Sequence, residues 1–267
     1  MNDSPPQDNT IIELSKVSKR FGVLTVLDRV DLALERGKTT VVIGESGTGK
    51  SVLLKHIVVL MRPDSGEVYF RAKRIDTRSE RELVPVRRCF GLLFQMGALF
   101  DSMTVAENIG FPLAEHADRP PEAIDAVVAD KLKLVGLDGL QSRRPGELSG
   151  GQKKRVALAR AIALDPEVVL YDEPTTGLDP VRADVINELI LKLKRELQVT
   201  SVVVTHDMTS AYKVADRIVM LHEGKIIADG APDWFRTCND ARVRRFVDGK
   251  ASPDDLAVLK RNAGAET

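Results

Sequence analysis

Cysteine is scarce: Cys89 and Cys238 are the only two in 267 residues, far apart and in no Cys-x-x-Cys pair. That excludes a disulfide scaffold, offers no zinc site and suits a reducing compartment. Net charge is lacking too, since Lys+Arg and Asp+Glu stand at 39 each. A protein that coats nucleic acid needs a basic surface or a strong basic stripe, so no nucleic-acid partner is expected. Long apolar runs are missing as well. Ile57–Met61 and Val168–Leu170 are the size of core segments, far short of the roughly 18–20 residues that cross a bilayer. The first ten residues are polar and proline-bearing, without the basic-then-apolar order of a secretory leader. A cytosolic chain is expected, with any membrane role exerted through a partner. There is no internal repeat and no low-complexity segment.

What is present is ordinary globular composition, 43% apolar and 29% charged. The length allows one to two domains with a real core. Residues 1–10 read as a flexible lead. Strands are expected at Ile11–Val17, Val26–Leu34, Thr39–Ile43 and Val68–Phe70, from their alternation or their β-branched runs. A helix follows Ser51, with Leu53, Leu54, Ile57 and Val58 on one face. From Gly97 to about Ala163 the pattern turns helical, over Val105–Leu113, Ile124–Leu134 and Gly151–Leu164. Strands return at Val168–Tyr171, Thr200–Thr205 and Arg217–Leu221, separated by helices at Val181–Leu197 and Met208–Val214. Strand–helix alternation on both sides of the helical middle predicts an α/β fold: a mainly parallel sheet covered by helices, with the middle inserted into it.

The strongest local signal is Gly44-Glu45-Ser46-Gly47-Thr48-Gly49-Lys50-Ser51, between a buried-type strand and a helix. Glycines let the backbone turn tightly so that several N–H groups face a phosphate, and the helix start adds positive potential. Lys50 reaches the outer phosphates and Ser51 offers a hydroxyl to Mg²⁺. A dinucleotide loop fits less well, because Val52 stands where the third glycine would be.

A second signal is the apolar run Val168–Tyr171 ending in Asp172 and Glu173. Two carboxylates at a buried strand end are costly without a nearby cation, which a nucleotide's Mg²⁺ would supply. Asp172 then suits the metal. Glu173 suits the base that polarises an attacking water. Taken alone, the pair fits a solvated strand end equally well; beside the phosphate loop, function prevails.

A third is Leu148-Ser149-Gly150-Gly151-Gln152, which opens another helix and makes a second anion-facing helix start. In combination these motifs resemble the nucleotide-binding subunit of an ATP-binding cassette (ABC) transporter, over roughly residues 11–235. The resemblance implies a P-loop NTPase (RecA-like) core, an antiparallel β subdomain and an inserted α-helical subdomain. It implies an ATPase using ATP and Mg²⁺, with Lys50, Glu173 and His206 catalytic. Gln95, in Leu-Phe-Gln95, matches the family's glutamine loop, which with Ser51 and Asp172 serves the metal. Asp179 matches its Gly-Leu-Asp loop, and His206, in Val-Thr-His206-Asp, its switch histidine. Phe21 matches the aromatic that stacks on adenine, although core packing would explain it too. It further implies a head-to-tail dimer, each ATP held between one copy's phosphate loop and the other's signature, Ser149–Gln152.

Within the family, Phe94–Asn108, Phe111–His116 and Gly49–His56 resemble the ATPases of MCE/Mla-type phospholipid transport systems. Gln152 and Glu45 stand where that subgroup often carries methionine and proline. This resemblance implies an integral membrane permease as partner, an MCE-domain lipid-binding protein and a STAS-domain subunit. It places the chain at the cytoplasmic face of the bacterial inner membrane. An amino-acid-type importer ATPase shares every catalytic residue and stays open as an alternative. A non-transport ABC ATPase fits less well, because the cassette is single and uninterrupted.

Three further segments call for a reading. Met96, Leu99, Phe100, Met103 and Phe111 form either a docking surface for a permease helix or the insertion's own core. The run Lys153-Lys154-Arg155 reads as a solvated helix face. Residues 248–267 form a tail beyond an ATPase domain at 11–247. There Ser252-Pro253 begins a capped helical pattern that is either a short helix or frayed. With Trp234, Phe235, Val243, Phe246 and Val247, this segment is expected to wrap a neighbouring subunit.

Overall fold

In the computed structural model, which describes residues 9–116 and 120–251, the chain opens with two long antiparallel strands, β1 (Thr10–Phe21) and β2 (Leu24–Glu35). Their inward residues Ile12, Leu14, Leu27, Val30, Leu32 and Leu34 are buried, as alternation requires. Lys16 and Arg29 adopt left-handed φ of 48° and 50° close to breaks in the ladder, the signature of bulges that bend a strand. β4 (Ser65–Phe70) and the short β5 (Lys73–Arg74) complete a four-stranded sheet in the order β2-β1-β4-β5.

The second sheet has six strands in the order β10-β9-β3-β8-β7-β6. They are β3 (Thr39–Ile43), β6 (Phe90–Leu93), β7 (Val168–Asp172), β8 (Thr200–Thr205), β9 (Arg217–His222) and β10 (Lys225–Gly230). All pair in parallel except the edge strand β10. β3 and β8 are buried along their whole length, which explains their unbroken β-branched runs. Side chains alternate between two cores. Val42, Leu170, Val204 and Leu221 face helix α1 (Lys50–Ile57) and the antiparallel sheet. Ile43, Tyr171, Val203 and Met220 belong to the other core, shared with α3 (Val105–His116), α4 (Pro121–Leu134), α5 (Gly150–Ala161), α6 (Pro180–Leu197) and α7 (Met208–Val214).

The expected strands and helices form, and further elements join them, α2 (Glu80–Arg87), β6 and β10 among them. α2 is polar and holds Pro85, so no apolar stripe announces it; a Ser79–Glu82 capping box starts it. β6 is only four residues long, and β10 is an edge strand with a single fully buried residue, Ala228.

The segment from Trp234 to Val247 differs from its expected role. It folds as α8 (Pro232–Thr237) and α9 (Ala241–Val247). Phe235 and Val243 are buried in this chain's own core, and Phe246 and Val247 pack against it. These apolar side chains are consumed internally, which leaves Trp234 as the exposed one. The capped stretch from Ser252 onward lies outside the described residues. No helix among the described residues is long and apolar enough to cross a membrane.

Candidate nucleotide-binding site

β3 ends in the middle of the sheet, and Gly44–Ser51 turns over its end. A Cβ on Gly44 would lie 2.3 Å from the Leu221 carbonyl oxygen of β9. At Gly49, φ is 99° and a Cβ would lie 2.8 Å from both Val26 Cγ1 and the Val26 carbonyl oxygen of β2. Glycine is therefore required at both positions, by close approach at one and also by backbone conformation at the other. Gly49 is the N-cap of α1, and no side chain caps the helix, so its opening N–H groups stay available to an anion.

Lys50 is 6% exposed. Its ammonium donates to the carbonyls of Gly44 and Glu45, at 2.8 Å each, and lies 3.9 Å from Glu173 Oε1. Burial lowers its pKa, against the opposing pull of Glu173, Asp172 and Glu45. The Ser51 hydroxyl donates to Asp172 Oδ1 at 2.8 Å. Burial pushes the Asp172 carboxyl above its ordinary range. Neighbouring Glu173 adds to this, while the Ser51 hydrogen bond, Lys55 and Lys50 act against it.

Glu173 follows directly, 8% exposed, with a left-handed φ of 51°. Its N–H donates to the Val204 carbonyl at 2.9 Å. Its Oε2 accepts from Thr176 Oγ1 at 3.2 Å and lies 2.9 Å from Nδ1 of His206, which is placed by the end of β8. Lys50, Ser51, Glu173 and His206 line a cleft of ≈ 520 Å³ with Phe21, Val26, Ser46, Gly47, Gly49, Val52 and Gln95. Thr48 stays within the loop, its hydroxyl on the Glu45 carbonyl at 2.9 Å. Phe21 is half exposed and faces this cleft, so core packing does not account for it.

Ser149, Gly150, Gly151, Gln152 and Asp179 do not line the cleft. Gly150 and Gly151 lie beside the start of α6 instead. A Cβ on Gly150 would lie 3.8 Å from the Leu178 side chain, and one on Gly151 3.7 Å from the Arg182 side chain. Asp179 caps α6, accepting from the Arg182 N–H at 3.0 Å. Ser149 and Gln152 form a reciprocal capping box, with the Ser149 N–H on Gln152 Oε1 at 2.9 Å and the Gln152 N–H on Ser149 Oγ at 3.3 Å.

Two features escaped the sequence reading. Thr176, which holds the Glu173 carboxylate, carries no motif of its own. Lys154 is not part of a solvated face: it is 7% exposed and donates to the Glu173 main-chain carbonyl at 3.2 Å. Helical spacing could have exposed it, because Gly151, Lys154 and Leu158 lie three and four residues apart on the buried side of α5. Arg155, in the same run, donates to the carbonyl of Gly136 at 3.1 Å.

The donor set suits a hard divalent cation that shares its shell with phosphates: a hydroxyl paired to a carboxylate that burial disfavours as a free ion, with an amide in the same cleft. Among the described residues no group of three or more His, Cys, Asp or Glu side chains forms a protein-only metal cage.

A glycine cradle over the end of a central parallel strand, with buried lysine, paired acids and histidine converging on it, defines a P-loop ATPase. By sequence the chain belongs to the ABC transporter family, whose model matches residues 27–176. It is 40% identical to the intermembrane phospholipid transport system ATP-binding protein MlaF of Haemophilus influenzae, over 91% of this chain and 92% of that protein. Escherichia coli K12 MlaF is 41% identical over 90% of each chain. The probable ribonucleotide transport ATP-binding protein mkl of Mycobacterium tuberculosis is 40% identical over 90% of this chain and 67% of that protein. Among solved structures, the dimeric ATP-binding cassette MJ0796 in a post-hydrolysis state with ADP and Pi superposes with a TM-score of 0.77. It is 33% identical and covers 83% of this chain and 99% of its own.

Proposed function

We propose that this ATPase powers phospholipid transport between the inner and outer membranes, through a permease at the cytoplasmic face of the bacterial inner membrane. The similarity to MlaF along nearly the whole of both chains carries the reading. In it, an ATPase domain at 11–247 with its helical insertion at 97–163 is followed by the tail 248–267.

Within the cleft, Lys50 and the Gly44–Ser51 backbone hold the phosphates, and Phe21 stacks on the adenine. Ser51, Asp172 and Gln95 would hold Mg²⁺, which when bound neutralises phosphate charge. Glu173 accepts a proton from the attacking water, and His206, already against the same carboxylate, contacts the terminal phosphoryl group. Ser149–Gln152 and Asp179 serve the nucleotide of a second copy in a head-to-tail dimer. That explains why a glycine-bearing helix start stands outside this chain's own cleft.

Next to Gln95, the apolar side chains Phe94, Met96, Phe100 and Phe111 are exposed, Met96 to 89%. The Phe100 and Phe111 rings pack at 5.0 Å. Buried Asn108 holds the Phe100 loop from both sides, accepting from the Phe100 N–H at 2.9 Å and donating to the Phe100 carbonyl at 3.1 Å. A fixed apolar surface of this kind suits a short permease helix. An MCE-domain protein and a STAS-domain subunit complete the proposed assembly.

The test is reconstitution of the membrane-purified complex in vesicles carrying a fluorescent phospholipid. ATP-dependent lipid transfer is expected. Phe100→Asp should abolish it while the isolated chain binds ATP normally. A complex that co-purifies with a solute-binding protein and moves an amino acid or a ribonucleotide would overturn the lipid assignment.

A further inference from the structure

Glu173 holds its carboxylate in the cleft from a main chain that an L-residue adopts only at a cost, with φ at 51°. Something must hold that conformation. On one side the Glu173 N–H is fixed by the Val204 carbonyl of β8 at 2.9 Å. On the other the Glu173 carbonyl accepts from Lys154 Nζ at 3.2 Å and from the Thr176 N–H at 3.3 Å. Lys154 is a strange choice for a merely structural bond. Its ammonium is buried, and burial acts against its charge, with Glu173 as the one opposing influence. A buried cation is a poor device for stability, whereas a charged donor holds a carbonyl more strongly than a neutral one. Lys154 also stands on α5, five residues after the Ser149 that caps its start.

We propose that Lys154 is a positioning residue for Glu173 of its own chain, clamping the carbonyl so that the carboxylate stays aimed at the attacking water. α5 would then serve both nucleotides of a dimer: the partner's through Ser149, and its own through Lys154 acting on Glu173. The proposal rests on Glu173 acting as the base and on the head-to-tail dimer, and its test separates these.

Lys154→Met keeps the length and the apolar stem and removes the donor. In the homodimer kcat should fall roughly tenfold, the size expected for a lost charged hydrogen bond. The KM for ATP should stay within about twofold, because the phosphate cradle is untouched. Lys154→Arg should restore most of the rate. A melting curve reports whether each variant folds, and Lys154→Gln, a shorter neutral donor, provides a second variant if Lys154→Met does not.

Mixed dimers, isolated through two different tags, give the decisive arm. Glu173→Gln in one protomer silences its site. With Lys154→Met on that same protomer, the remaining site should turn over at the rate of the Glu173→Gln/wild-type dimer. With Lys154→Met on the opposite protomer, it should fall roughly tenfold. Slowing in the first arrangement only, in both equally, or in neither would overturn the proposal. The first outcome would place the effect at the Ser149 end of α5, and the second would mark a general loss of structure. Near-normal turnover in the doubly Glu173→Gln dimer would overturn the base assignment itself, and with it this inference.

Discussion

The chain has two glycine-bearing helix starts, and they are built to opposite plans. At Gly44–Ser51 the helix is uncapped, Gly44 and Gly49 are forced by close contacts, and Lys50, Ser51, Glu173 and His206 converge on the same cleft. At Ser149–Gln152 the helix caps itself, and neither Gly150 nor Gly151 has a positive φ or a tight contact. The first is a complete cradle that spends its own stability to stay open. The second is at ease within its own chain, and in the proposed dimer it supplies half of a site. The forced glycines build this chain's own phosphate loop, whereas Gly150 and Gly151 lie outside its cleft.

The largest expected effect is at the complete site. Glu173→Gln should cut hydrolysis by about 10²–10⁴-fold while ATP still binds. With ATP present the dimer should accumulate in size-exclusion chromatography, and near-normal turnover would remove Glu173 from the chemistry. Next come the glycines themselves. Gly49→Ala should weaken ATP binding by at least about tenfold and lower the melting temperature by several degrees, since the methyl meets β2 at a strained φ. Gly151→Ala should leave melting and single-chain ATP affinity unchanged and reduce only dimer turnover. Equal losses from both would erase the contrast.

A smaller effect separates the two sites by pH. Because burial raises the Asp172 pKa in the fold, its carboxyl imposes no penalty when protonated in both states, below the ordinary carboxylate range. Stability is then lost as pH rises through the raised value. Without nucleotide and Mg²⁺, Asp172→Asn should therefore melt above the parent at pH 7, and the gap should close on acidification to about pH 4. Mg²⁺-dependent ATP affinity should move the other way. A gap independent of pH would discount the carboxylate. The smallest effect belongs to the self-capped start. Gln152→Ala loses one arm of the capping box, worth about 0.5–1 kcal/mol, and should lower melting by roughly 2 °C.

The phosphate loop, the acid pair and the alternation of strands and helices were legible because each is carried by adjacent residues. What escaped depends on which face another element covers. Lys154 sits in a basic run and looks solvated, yet β7 delivers the Glu173 carbonyl to it. Phe235 and Val243 looked like spare apolar surface, yet they fill this chain's own core. β6 is too short for a pattern, and α2, with Pro85 and few apolar residues, has only its cap to signal it. Gln95 illustrates the intermediate case: as a lone polar loop residue it says nothing, and only the family resemblance led to the cleft it lines.

The two tight glycines of the cradle rest on different sheets, Gly44 on the larger through Leu221 and Gly49 on the smaller through Val26. The loop is thus a shared pivot. Any rotation of one sheet against the other is transmitted to the backbone that grips the phosphates, and binding resists that rotation in return. A nucleotide gripped there would therefore be sensitive to the tilt of the small sheet.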